Sequence, residues 1–126
     1  MSNTKFPQFN SYACIGDSIT WHKDGFDITA TLQDDTDSHV NDSECYSPVK
    51  IKQWFNNEWF FVGIVLSVEK NGILIDAHSA SLWGIECNYN KKANRYLAKM
   101  AQEMESEAIE TAKKRVKVML KVLSGC

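Results

Sequence analysis

The chain lacks several features that would assign it to a familiar class of proteins. Its four cysteines lie far apart and form no Cys-x-x-Cys pair, which excludes a zinc ribbon and a thioredoxin-like motif. No apolar run approaches the roughly 18 residues needed to span a bilayer, and no secretory signal pattern opens the sequence. Internal repeats and low-complexity tracts are absent as well. We therefore expect a cytoplasmic protein in a reducing compartment, with no membrane association.

The composition favours one self-sufficient domain over residues 1–126. A chain of 126 residues with 44% hydrophobic residues, four of them Trp, is large enough to close a single core without disulfides. Its formal net charge is only −2, but residues 1–46 carry eight acids and two lysines, whereas residues 47–126 carry eight acids and twelve Lys or Arg. Nucleic-acid binding usually needs a broad positive surface, so we expect no direct binding of DNA.

Alternating apolar and polar residues predict an antiparallel sheet. Two alternating runs, 18–23 and 26–32, flank Asp24-Gly25, which favours a two-residue hairpin turn. The apolar run 59–68 leads to a second turn at Asn71-Gly72, followed by two predicted strands, ILIDA and SASLWGIEC. The pattern therefore predicts a meander of about five strands.

Two helices are predicted around this sheet. Ser47-Pro48 supplies an N-cap and a first-turn proline for a short helix over 48–55. Apolar residues at spacings of three and four predict a long helix from about Asn94 to Ser124. Such a helix would be about 45 Å long, so we expect it either to break or to project beyond the domain. The predicted fold is α+β, with the long C-terminal helix packed on one face of the sheet. Core positions are expected to include Ile19, Trp21, Phe26, Ile28, Leu32, Phe61, Val65, Leu66, Leu74, Leu82, Trp83, Leu97, Met104 and Ala108.

The second half of the long helix carries more apolar residues than one packed stripe requires. This excess favours a second contact, such as a homodimer interface. Its candidate residues are Val116, Met119, Leu120 and Leu123. A homo-oligomeric structural or assembly factor is therefore one functional hypothesis.

The stretch CIGDSITW, residues 14–21, resembles the nucleophile block of the GDSL/SGNH hydrolases. In that family the serine opens a helix, whereas the residues after Ser18 alternate as a strand. The family also places Asp three residues before its catalytic His, but the residues three before His22, His39 and His78 are Ile, Thr and Ile. We interpret Asp17-Ser18 as a turn before a strand and expect no enzyme activity.

Other candidate sites receive little support. Asp35 and Asp37 have the first spacing of an EF-hand loop, but Val40 and Tyr46 stand where its Gly and Glu belong. No pair of histidines has helical metal-ligand spacing. The aromatic residues around 54–61 could stack on single-stranded nucleic acid, but few basic residues accompany them, so core packing is favoured. We expect no metal and no cofactor.

Three segments, GDSITWHKDGFDITATL, EWFFVGIVLSVEKNG and ASLWGIE, resemble short proteins of phages and other bacterial mobile elements. The resemblance implies a protein that covers a host protein or ribonucleoprotein complex, such as a restriction or CRISPR complex, with an acidic face in place of DNA phosphates. Alternatively, such a protein would work without mimicry and anchor the contact with an aromatic residue such as Trp54 or Phe55, if either is exposed. The acidic residues expected to bind the partner are Asp24, Asp27, Asp34, Asp35, Asp37, Asp42 and Glu44.

Overall fold

Four strands form one antiparallel sheet in the computed structural model, which describes residues 6–90 and 94–125. The strands are β1 (Ser18–Lys23), β2 (Phe26–Asp34), β3 (Phe60–Lys70) and β4 (Ile73–Cys87), and they lie in the order β1-β2-β3-β4. The helices are α1 (Pro48–Phe55), α2 (Arg95–Glu103) and α3 (Glu105–Leu123), with a 3-10 turn over Val40–Asp42. The predicted α+β class and antiparallel sheet are confirmed.

Both predicted hairpin turns are present. Asp24 and Gly25 have φ values of 54° and 82°, and Asn71 and Gly72 have 52° and 79°. Positive φ at both central residues is the geometry of a type I′ turn, whose twist matches that of the flanking strands. The two turns lie at the same end of the sheet, which we call the hairpin end. The opposite end, where β2 leaves the sheet and β3 enters it, is the loop end.

The predicted fifth strand is wrong, because ILIDA and SASLWGIEC belong to the single strand β4. Leu66 pairs with Ala80 and Val68 with Asp76, so residues 77–79 of β4 lie opposite one residue of β3. These three residues contain no Gly, Asn or Pro, and the chain forms a bulge there instead of a turn. The Asp76 side chain accepts a hydrogen bond from the His78 N–H at 3.0 Å within this bulge.

The predicted long helix breaks at Met104. This residue has φ −89° and ψ −2°, and its side chain is buried against the sheet. No Gly or Pro marks the break in the sequence. Just beyond it, the Trp21 indole N–H donates to Glu105 Oε1 at 2.8 Å, which ties the start of α3 to β1. None of the helices in the described part of the chain is long and apolar enough to cross a membrane.

The main core lies between the sheet and the helices α2 and α3. Alternate residues of β2 and β3 point to this face, and the α2–α3 stripe covers them. Its fully buried members include Ile28, Ala30, Leu32, Val62, Ile64, Leu66, Val68, Leu97, Ala98, Ala101, Ala108 and Ala112. Leu74, Leu82 and Trp83 were predicted to be core residues, but all three are exposed.

Two asparagines tie the N-terminal segment to this core. The buried Asn94 donates through Nδ2 to Ser11 O at 3.0 Å and to Asn88 Oδ1 at 2.7 Å, and its own Oδ1 accepts from the Asn88 N–H. Asn88 in turn exchanges two hydrogen bonds with the backbone of Ala13. These bonds fix the segment that precedes β1 beside the start of α2.

Trp83 lies on the other face of the sheet, flat over Gly63 of β3. A Cβ at Gly63 would lie 2.2 Å from Trp83 Cε3, so the absent side chain is what admits the indole. The indole N–H donates to Ser81 Oγ at 3.1 Å, and the residue is 43% exposed. The lack of a side chain at Gly63 therefore leaves room for a large aromatic residue on this face of the sheet.

We predict that Gly63→Ala displaces this indole. The added methyl group overlaps the ring, and overpacking of this kind costs about 1–3 kcal/mol of unfolding free energy. Tryptophan fluorescence should shift to longer wavelength as Trp83 becomes more solvated. The double variant Gly63→Ala, Trp83→Ala should recover most of the lost stability, and a double variant as unstable as Gly63→Ala would contradict the overlap.

Candidate partner-binding surface

The candidate site is the acidic loop, residues 34–45, which leaves β2 at the loop end of the sheet and leads to α1. Asp35 lies at its centre and is almost fully buried. One carboxylate oxygen accepts from the Asp37 and Ser38 N–H groups, each at 3.1 Å. The other accepts from Ser38 Oγ at 2.8 Å and from the Gly84 N–H at 2.7 Å. One side chain thus fixes the turn of the loop and attaches it to β4.

The hydrogen bonds hold Asp35 in its charged form. Burial by itself raises the pKa of this carboxyl group, but the bonds from Ser38, Gly84 and Asp37 outweigh burial, and the pKa lies below its ordinary value of 3.8. Asp35 is therefore an ionised structural group at neutral pH. It is not available to a partner, in contrast to the expectation from the sequence.

A second apolar cluster anchors the acidic loop to the rest of the fold. Val40, Trp59 and Phe61 are buried, with Tyr46, Ile51, Trp54 and Tyr89 packed against them. The Trp59 indole N–H donates to Lys50 O at 2.8 Å, and the Tyr46 hydroxyl donates to Glu86 Oε2 at 2.5 Å. Burial, together with the Glu86 carboxylate, raises the pKa of Tyr46. The hydroxyl therefore stays protonated and donates the hydrogen bond to Glu86. The cluster joins the loop, α1 and the ends of β3 and β4.

His39 closes the loop against α1. Its ring lies 4.5 Å from the Trp54 ring and 5.8 Å from the Phe55 ring, measured between centroids. Its Nδ1 accepts from the Asn41 N–H at 3.0 Å, while Asp42 accepts from the His39 N–H at 2.8 Å. Trp54 is half-buried in this stack, whereas Phe55 is 59% exposed. Phe55 is therefore the more accessible aromatic anchor at this position.

Two open clefts flank the loop. One, of about 580 Å³, lies between residues 34–39 and the aromatic residues Trp54 and Phe55. The other, of about 430 Å³, lies between residues 34–38 and Trp83. The loop thus stands between two aromatic surfaces. The sequence pattern predicts Trp83 as a core residue and therefore does not identify it as part of this surface, although Gly63 within an apolar strand is a signal of close packing.

The predicted acidic residues do not form one surface. Asp34, Asp37, Asp42 and Glu44 are exposed at the loop end. Asp24 and Asp27 lie at the hairpin end, and Asp34 lies seven positions along β2 from Asp27, or about 23 Å away. Asp27 also pairs with His22, with 2.9 Å between Oδ1 and Nδ1. The predicted acidic residues therefore form two separate groups, one at each end of β2.

The candidate dimer residues lie where α3 runs past the core. Val116 packs partly against the core and Met119 is half-buried, whereas Leu120 and Leu123 are 61% and 79% exposed. Val118 and Val122 are exposed on the same two turns. The last two turns of α3 thus present apolar residues at the hairpin end.

The residues considered for catalysis or metal binding are not brought together. Ser18 begins β1, and His22 lies four residues along the same strand, about 13 Å away. His39 lies in the loop and His78 in the β4 bulge. Within residues 6–90 and 94–125, no group of three His, Cys, Asp or Glu side chains is placed to hold a metal ion. Cys87 is buried, and burial raises the pKa of its thiol to about 12.

A further cleft of about 720 Å³ lies between α1 and the end of β4. Trp59, Tyr89 and Asn88 line it together with Lys50. The Lys50 ammonium group lies 4.3 Å from the centre of the Tyr89 ring and donates to the Tyr89 carbonyl. The lysine is thus engaged within the protein, which makes this cleft a weaker candidate than the acidic loop.

We predict that Asp35→Asn destabilises the fold at neutral pH by about 2 kcal/mol, since a charge-assisted acceptor is lost from a buried site. The pKa of Asp35 is lowered in the folded state, so its stabilisation is complete above about pH 4 and is lost as the pH falls through the lowered pKa. Urea unfolding should therefore show a difference between wild type and variant that shrinks on acidification. Asp37→Asn, which changes an exposed neighbour, is the matched control. Equal losses in the two variants would contradict the role of Asp35.

Comparisons with known proteins do not assign this surface to a family. No family model matches the chain, and neither curated proteins nor solved structures gave a match.

Proposed function

We propose that the chain is a small, non-enzymatic accessory protein that binds a larger host protein or ribonucleoprotein complex through its acidic loop. The observation that carries this proposal is that the acidic loop exposes its carboxylates while its backbone is fixed. Asp35 and the second apolar cluster hold that backbone in place. A fixed loop loses little conformational entropy when a partner docks.

The carboxylates of Asp34, Asp37 and Glu44 are available for a partner. None of them forms an ion pair within the described residues, where the His22–Asp27 contact is the pair found. Exposed charges of one sign steer a basic partner from a distance and set the orientation of docking. A basic groove that normally accepts phosphate groups is the kind of surface that these acids fit.

Two exposed aromatic residues supply the apolar part of the contact. Phe55 and Trp83 line two different clefts beside the loop. Aromatic side chains that become buried at the centre of an interface commonly dominate its free energy. Charge then contributes the rate of association and the specificity, while these rings contribute the affinity.

The resemblance to short proteins of phages and mobile elements supports a finer proposal. Small accessory proteins of such elements often act by covering a host machine, and the acidic loop would stand in for DNA phosphates on a restriction or CRISPR complex. Inhibition of this kind needs no reaction chemistry. The proposed partner is a protein or ribonucleoprotein surface, without direct contact between this chain and DNA.

The proposal predicts that partner capture depends on three loop charges. The variant Asp34→Asn, Asp37→Asn, Glu44→Gln should lose a partner that the wild-type chain retains from a bacterial lysate, with at least a tenfold drop in affinity for the purified complex. High salt should weaken the wild-type complex in the same way, since the Debye length falls from about 30 Å at 0.01 M to about 3 Å at 1 M. DNA cleavage by the captured complex is then measured with and without the chain.

The matched control removes three charges from the hairpin end, through Asp24→Asn, Asp27→Asn and Glu69→Gln. It should bind like the wild type, because the three loop carboxylates are intact. This result would exclude overall charge as the cause of the loss in the loop variant. Capture that survives both the loop substitutions and high salt would overturn docking through the acidic loop.

A further inference from the structure

A basic cleft lies at the hairpin end, on the side of the sheet that α3 covers. It has a volume of about 350 Å³ and lies between Phe26 and Lys70 of the sheet and the middle of α3. The α3 residues that line it are Glu110, Lys113, Lys114, Val116 and Lys117. The Lys70 ammonium group lies 4.8 Å from the centre of the Phe26 ring, beside Gly25, where a Cβ would come within 3.2 Å of it. Four lysines thus surround a floor that is partly apolar.

These lysines are not neutralised by the chain itself. No ion pair within the described residues engages Lys113, Lys114 or Lys117, and Glu110 is the one acid that lines the cleft. Residues 113–123 of α3 carry five basic residues and no acid. Leu120 and Leu123 continue the surface as exposed apolar residues. The hairpin end therefore offers a surface that is both basic and apolar.

This segment is poorly suited to pair with its own copy. Two copies of residues 113–123 placed face to face would bring ten positive charges together, with no acid in the segment to offset them. An apolar helix dimer through Leu120 and Leu123 would have to overcome that repulsion. The complementary charge lies on the acidic loop, at the other end of the sheet.

We propose that the chain associates head to tail, with the acidic loop of one copy seated on the basic cleft and the end of α3 of a second copy. The carboxylates of Asp34, Asp37 and Glu44 would face Lys113 and Lys117, while Phe55 meets the apolar residues around Leu120. Both surfaces carry exposed charge of opposite sign next to exposed apolar side chains, and this complementarity identifies the second copy as the occupant.

The geometry determines the form of the assembly. Phe26 at the basic cleft and Asp34 at the acidic loop are eight residues apart on β2, or about 26 Å. One molecule therefore cannot bring its own two ends together. A head-to-tail contact uses two different surfaces, so each added copy leaves a free end, and the assembly grows with concentration unless it closes into a ring.

Sedimentation of the purified chain tests this proposal. At an ionic strength of about 0.01 M the average mass should rise steadily with protein concentration, and at about 1 M, where charges are screened within about 3 Å, the chain should be a monomer. The acid-end variant Asp34→Asn, Asp37→Asn, Glu44→Gln and the basic-end variant Lys113→Gln, Lys117→Gln should each self-associate at least tenfold more weakly than the wild type.

An equal mixture of the two variants is the decisive sample. The acid-end variant keeps an intact basic cleft, and the basic-end variant keeps an intact acidic loop, so the mixture should form a one-to-one dimer that does not grow further. A symmetric helix dimer would instead be insensitive to the loop substitutions and would persist at high salt. That result, or a wild-type chain that stays monomeric at millimolar concentration and low salt, would overturn the proposal.

The inference shares the acidic loop with the proposed function but does not depend on a host partner. The sedimentation experiment contains only this chain, so its failure leaves the docking of a host complex untouched. Conversely, failure of the wild-type chain to capture a host partner from a lysate leaves the self-association proposal untouched. If both hold, the two contacts compete for the same loop.

Discussion

The candidate surface depends on the hydrogen bonds that the carboxylate of Asp35 accepts. It accepts three hydrogen bonds from two consecutive residues of its own loop, Asp37 and Ser38, and a fourth from the Gly84 N–H on the last strand. A loop rich in acidic side chains tends to spread, because its charges repel one another. Here hydrogen-bond donors compensate the charge of one acid, Asp35, and the bonds that it accepts fold the loop. The remaining carboxylates then face solvent in fixed positions, which is what a docking surface needs.

Much of the sheet was predictable because its signals are local. Asp24-Gly25, Asn71-Gly72 and the Ser47-Pro48 helix start each act through the conformational preferences of two adjacent residues, and all three appear in the structure. The errors arose where tertiary contacts decide the outcome. The bulge at residues 77–79 reflects a mismatch in length between β3 and β4, and the break at Met104 reflects contacts of α3 with the sheet. Neither carries a Gly or Pro that would have marked it.

The candidate site was predictable in composition but not in arrangement. Asp35 and Asp37 are equivalent in sequence terms, yet one is a buried structural acceptor and the other is exposed. Their difference comes from Gly84, 49 positions away along the chain. Asp24 and Asp37 likewise both belong to the acidic first part of the sequence, residues 1–46, but the length of β2 places them at opposite ends of the sheet. Distances across a fold, rather than residue types, decide which charges act together.

The irregular pairing of β4 has a consequence for how the protein meets other chains. In a sheet ordered β1-β2-β3-β4, β1 and β4 are the two strands with an unpaired side, and such strands invite the addition of a further strand from another molecule. β1 is only six residues long, and β4 is interrupted by register shifts along its length. Both are therefore poor templates for the uncontrolled growth of cross-β aggregates. With both edge strands protected in this way, the proposed contacts with other macromolecules are confined to the two ends of the sheet, where a change of charge does not create a new edge for strand pairing.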